Sequence, residues 1–134
     1  MRRGDWELAL SAWFAECERR SYAYGAHDCA LFAAGAVRAM TGADPAEPFR
    51  GRYCSAWSGE ELLEELGFAN LEELIDAQFS DVPVSFAQRG DLAWHDGSVG
   101  VVAGRFALFV GEVDGAARLI RVPRAQWQKA WRVD

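Results

Sequence analysis

The sequence predicts a single α+β domain, with helices in its first half and an antiparallel sheet in its second. Apolar residues recur at helical spacing up to about residue 80, and short β-prone runs follow from there. Glycine-bearing turn pairs separate those runs, and helices followed by a strand meander make an α+β arrangement. The length of 134 residues fits one domain with its own core, and 51% apolar with 13% aromatic residues is a globular composition.

The elements follow in order. Asp5 is placed to cap a helix running to about residue 19, because Trp6, Leu10, Trp13, Phe14 and Cys17 share one face. Residues 21–28 interrupt the pattern with Gly25. A second helix is expected from Asp28 or Cys29 to Met40, stopped by Thr41-Gly42, since glycine adopts the left-handed turn that ends helices. Its Ala-rich face (Ala30, Ala33, Ala34, Gly35, Ala36) suits close packing. Residues 44–53, with Pro45 and Pro48, read as a loop. Ser58 with Glu61 and Asn70 with Glu73 have capping-box spacing, which predicts short helices over 59–66 and 71–78. Strands are expected over 90–94, 99–103, 106–113 and 117–122, divided by Asp96-Gly97, Gly104 and Asp114-Gly115. The last of these pairs is a hairpin signal. One helical turn over 124–128 and a final extended segment over 130–133 complete the chain.

Charge and composition exclude several functions. The net charge of −6 and the scattered arginines (Arg2, Arg3, Arg19, Arg20, Arg50, Arg52) leave no basic stripe, so nucleic acid is not an expected partner. No apolar run approaches the roughly 20 residues that cross a bilayer. The opening residues carry two arginines with no apolar stretch behind them, so no secretory signal is expected. Cys17, Cys29 and Cys54 match no zinc spacing and read as free thiols in a reducing compartment. No cofactor or metal is expected.

The chemistry concentrates in Tyr22-Ala-Tyr-Gly-Ala-His-Asp-Cys29-Ala-Leu-Phe, where a glycine-containing loop delivers a cysteine to the first turn of a helix. Unpaired amides and the positive end of the helix dipole favour a thiolate there, and the same amides can hold an oxyanion. The stretch resembles the motif of the NlpC-like, papain-fold cell-wall peptidases, in which Tyr-x-Trp-Gly precedes Asp-Cys-Ser-Gly. Tyr22, Tyr24, Gly25, Asp28 and Cys29 match it in kind, while Ala30-Leu31 replaces Ser-Gly. Gly90-Asp91-Leu92 resembles the family's Gly-Asp-Leu, and residues 99–104, Val-Gly-Val-Val-Ala-Gly, resemble its Val-Gly-Ile-Tyr-x-Gly strand. The resemblance implies a papain-like NlpC-type fold with Cys29 as nucleophile, and Asp28 or Tyr22 shaping the site.

The departure lies at the base. The family's histidine immediately precedes the Val-Gly strand, where this chain has Ser98, and the third polar residue has no clear match because residues 106–110 are all apolar. Serine cannot take a proton from a thiol near neutral pH. His95, three residues earlier, is the candidate replacement; His27, two residues from Cys29, is the weaker one, and both also fit plain loop-pinning roles. Cys17 falls on an apolar helix face. The loop with Phe49-Arg-Gly-Arg-Tyr-Cys-Ser-Ala-Trp57 could bind an anion or partner, or simply pack arginine stems on rings.

The whole pattern is similar to a short, divergent branch found among phage and prophage tail genes. That resemblance implies a virion component at the tail tip or baseplate, made in the host bacterial cytoplasm, with other tail proteins as partners and peptidoglycan as a possible ligand. Two functions stay open. One is a structural or binding module with a degenerate site, docking through exposed aromatics such as Trp57, Trp127 or Trp131. The other is a cysteine peptidase or amidase cleaving peptidoglycan stem peptides, with His95 as base.

Overall fold

A computed structural model describes residues 1–21, 23, 25, 27–113 and 116–134. Among them, helices α1 (Trp6–Cys17), α2 (Cys29–Thr41), α3 (Ala56–Glu65) and α4 (Leu71–Gln78) precede the main strands. The strands are β1 (Ser80–Val82), β2 (Leu92–His95), β3 (Ser98–Val102), β4 (Phe106–Val113), β5 (Ala116–Pro123) and β6 (Lys129–Arg132). They form one sheet in the order β1-β6-β2-β3-β4-β5, every pair antiparallel. The expected α+β arrangement is therefore present: β2 to β5 meander, and β6 returns to pair with β2.

The central strands β2 and β3 and the first half of β4 are buried on both faces, so they read as nearly continuous apolar runs. Leu92, Val99, Val101, Leu108, Val110 and Trp131 point towards α1 and α2, where Leu10, Phe14, Phe32, Val37 and Met40 meet them. Ala93, Val102, Ala107, Phe109, Val122 and Ala130 point the other way, under Ala87 and Trp127. The alternation along each strand is the ordinary two-residue pleat.

Helix α2 owes its close contact with α1 to Gly35. A Cβ there would lie 2.1 Å from the Trp13 ring, and that indole stacks on Phe32 and donates to the Phe32 carbonyl at 3.0 Å. The helix stops at Gly42, whose φ of 85° is left-handed as anticipated. Between β2 and β3 the turn residues Asp96 (φ 47°) and Gly97 (φ 78°) both have positive φ, the pattern of a two-residue type I′ hairpin. The other hairpin signal, Asp114-Gly115, lies outside the described residues.

Asp91 is fully buried and ties the ends of the chain to the sheet. It pairs with Arg2 at 2.9 Å and Arg132 at 3.1 Å, and accepts from the Gln88 and Val133 amides. The Gly-Asp-Leu segment thus has a structural role here, supplying a charge that two arginines and two amides satisfy.

Several expectations need correction. Asp5 stands at the N-cap of α1 but its side chain makes no capping bond, and α1 ends at Cys17. The third helix starts three residues earlier than expected, because Ser55, not Ser58, is its cap; the two serines form the reciprocal box. The short strand β1 was not anticipated; it holds the sheet edge by pairing with β6. Trp127 and Trp131 are not exposed anchors: they are 5% and 0% exposed, the first bonded to the Val122 carbonyl and the second to Asp76. Trp57, at 71%, is exposed.

Candidate functional site

Cys29 is the first residue of α2, and its position is built by the residue before it. Asp28 has extended backbone, and its carboxylate accepts from the Leu31 amide at 2.9 Å, which caps the helix. The second carboxylate oxygen accepts from the Gly25 amide at 2.9 Å and from the Tyr53 hydroxyl at 2.5 Å. Gly25 has φ 82°, and a Cβ there would lie 1.9 Å from the Tyr53 carbonyl oxygen, so only glycine lets this loop pass. Asp28 therefore shapes the site through its caps, with both carboxylate oxygens engaged by the loop and the helix start. Tyr22 and Tyr24 lie outside the described residues.

The half-buried Cys29 thiol meets the start of β3. Burial is the largest influence on it and pushes its pKa above the ordinary thiol range; the Asp28 charge acts in the same direction. The Val99 amide, the Ser98 hydroxyl and the Ala30 amide pull the other way without reversing the outcome. The expected benefit of the helix start is present as amide donors, and desolvation outweighs it. Ser98, at the place of the family's base, is thus beside the thiol.

The two histidines are not brought into a Cys–His pair. His95 faces Ser98 across the hairpin, but its ring lies edge-on to Phe109, which belongs to the far side of the sheet. Its Nδ1 is 3.0 Å from the Gln126 carbonyl and its Nε2 is 3.4 Å from the Asp96 carboxylate. Both ring nitrogens are engaged away from Cys29. His27 is 4% exposed and packs edge-on against Phe32.

Burial, then the nearby Arg20 charge, lower the His27 pKa, while Asp28 raises it less. The fold therefore accepts the neutral ring. As pH falls below the ordinary histidine value of about 6.5, the unfolded chain takes up the proton first, so stability present above that pH declines towards the folded pKa. Urea midpoints measured from pH 7.5 to 5 are expected to fall in the wild type and to fall less in His27→Gln.

The other candidates are mostly paired. Cys17 is buried in the core, its pKa raised to about 12 by desolvation. Cys54 is exposed. In the arginine-rich loop, Arg50 grips Asp44 with two bonds of 2.6 and 3.1 Å, and Arg52 reaches Glu65 at 3.6 Å. Arg50 thus closes the loop onto Asp44, and Arg52 ties it to the end of α3.

Sequence reasoning missed the space beside the cysteine. A cleft of about 320 Å³ lies between α2, the sheet start and the arm made by α3 and α4. Ala30, Ala33 and Ala34 form one wall, and Leu63, Leu71 and Leu74 another, with Tyr53 between them. The Ala-rich face was read as a packing surface; part of it borders this cleft. No local signal links Tyr53 to Asp28, 25 residues away in sequence.

Fold and site together define an α+β domain in which a half-buried thiol opens a helix against an antiparallel sheet, next to an apolar cleft. The chain belongs to the family described as a domain of unknown function, DUF6950, whose family model matches residues 1–133. No curated protein and no solved structure matches the chain.

Proposed function

We propose that this domain is a binding or structural component of a phage or prophage tail tip, with a papain-like NlpC-type architecture and a catalytic site that has lost ordinary peptidase chemistry. The observation that carries the loss of catalysis is the group next to the thiol. Ser98 stands where a cysteine peptidase needs an imidazole, and a hydroxyl can neither take the thiol proton near neutral pH nor return it to a leaving amine. The desolvated thiol and the engagement of His95 with Gln126 point the same way. The tail-tip placement rests on the sequence resemblance of the cysteine loop and of the segments at Gly90 and Val99.

Two measurements test the parts separately. Mass spectrometry of purified tail particles encoded beside this gene is expected to find the chain at a fixed copy number; its absence from the particles removes the tail-tip reading. Dye-labelled peptidoglycan is expected to release no more dye with the wild type than with Cys29→Ala.

A second reading is a cysteine peptidase or amidase acting on peptidoglycan stem peptides, with Cys29 as nucleophile. The Val99 and Ala30 amides directed at the sulfur favour it, since donors of that kind also hold an oxyanion. It needs a base that neither histidine of the chain supplies in this arrangement.

A further inference from the structure

We infer that this chain binds a second copy of itself head to tail, the exposed face of α3 on one copy meeting the arginines of β5 on the next. The inference goes beyond the reading of the Cys29 site and does not depend on it.

The acidic surface begins with the charge pattern. Residues 53–88 hold eight acids and no lysine, arginine or histidine, although the whole chain has 14 lysines and arginines. Part of that charge is already answered: Glu72, Asp76 and Asp81 surround Lys129, and Glu65 reaches Arg52. Glu61 and Glu64 are exposed and have no cationic partner among the described side chains. With Trp57 they share one face of α3, at i, i+4 and i+7. This charge sits badly in a lone helix. Glu60 repels Glu64 and Glu61 repels Glu65, and the last turn carries acids and no base beside the negative end of the helix dipole. A cation from outside relieves both costs.

Trp57 gives that cation a ring to stack on. The side chain is 71% exposed. Trp6, Trp13, Trp127 and Trp131 each have an arginine or lysine over the ring. Trp57 has none among the described residues, and a guanidinium fits such a face.

The complementary surface lies on the same chain. β5 is an edge strand, and its Arg118 and Arg121 are exposed without an acidic partner among the described side chains. Arg121 lies over the Phe106 ring at 4.9 Å, which orders the side chain while it stays at the surface. Arg105, exposed at the turn into β4, adds to the positive charge.

The two surfaces do not neutralise each other within one copy. The α3–α4 arm is anchored through Asp76 to Lys129 and Trp131 of β6, and β2, β3 and β4 separate β6 from β5. Four strand spacings make about 19 Å, well beyond the roughly 8 Å screening length of physiological salt. Unlike surfaces that meet between copies make a heterologous contact, which generates a ring or a row.

The test is sedimentation equilibrium of the full chain and of two double variants that each reverse one surface: Glu61→Arg with Glu64→Arg, and Arg118→Glu with Arg121→Glu. The wild type is expected to self-associate at about 50 mM NaCl and to weaken by about tenfold or more at about 500 mM. Each double variant alone is expected to stay monomeric. An equimolar mixture of the two is expected to associate again, because every α3 face then finds a β5 edge of opposite sign. Trp57→Ala is expected to weaken association by about tenfold. A wild type that stays monomeric at the lower salt overturns the inference, as does association that survives either reversal. A mixture that stays monomeric, with both variants folded by circular dichroism, overturns it as well. Should a double variant fail to fold, wild-type association unchanged by salt and by Trp57→Ala overturns it instead. Binding of an oligo-arginine peptide by a wild type that remains monomeric also overturns it, because the α3 face would then serve another partner. Cys29 labelling and the presence of the chain in tail particles are independent of every one of these outcomes.

Discussion

Asp91→Ala is expected to destabilise the domain by about 3–5 kcal/mol, the usual result of deleting one partner from a buried ion-pair network. The carboxylate is fully buried, and its loss strands the guanidinium groups of Arg2 and Arg132 and the amides of Gln88 and Val133. Urea unfolding followed by circular dichroism measures the change. Arg132→Ala is expected to cost less, because that side chain is 35% exposed against 16% for Arg2 and water replaces more of its partner. A loss for Asp91→Ala no larger than that of a surface substitution would show that the network does not hold the chain ends to the sheet.

Trp131→Ala is expected to cost about 3–5 kcal/mol as well, for a different reason: it empties a large volume in the main core. The ring is fully buried, meets Trp94 edge-on at 6.0 Å between centroids, and donates to Asp76 at 2.9 Å. Trp57→Ala, at an exposed helix position, is expected to change stability by less than about 0.5 kcal/mol. The pair separates folding from docking. A partner that uses an aromatic anchor on this chain should lose affinity with Trp57→Ala while the fold stays intact, whereas Trp131→Ala should lower the unfolding midpoint itself.

The layers of the fold were legible because their signals are local. The spacing of Trp6, Leu10, Trp13 and Phe14, the glycine stop at Gly42 and the Asn70–Glu73 cap each arise within a few residues, and each stands where the pattern put it. The third helix shifted because Ser55 and Ser58 both fit a cap and only the backbone decides between them. Strand β1 escaped notice because three residues on an edge leave no periodicity to read. Trp127 and Trp131 were misplaced because a tryptophan near a chain end looks like a surface anchor until the strand's pleat assigns it to a face.

The site divided along the same line. Cys29 at the start of a helix, capped by Asp28, follows from a contiguous motif. The orientation of His95 depends on Gln126 and Phe109, which are distant in sequence, and so could not be read from the turn Trp94-His-Asp-Gly. The thiol's environment is not legible in the motif alone. A helix start argues for a low pKa, while the burial that raises it comes from packing around α2 and β3. The cleft requires the relative placement of α2 and the α3–α4 arm, which no single segment encodes.

The central claim is that the Cys29 thiol is not an activated nucleophile. The direct measurement is the pH dependence of iodoacetamide labelling, followed by peptide mass spectrometry, with Cys29→Ala as control. Exposed Cys54 serves as the internal reference, and Cys17 as the buried one. Slow Cys29 labelling at neutral pH that rises only above the ordinary thiol range of about 8.5 is the predicted result. Labelling of Cys29 that is already rapid below pH 7 would mean a stabilised thiolate, and would contradict the account.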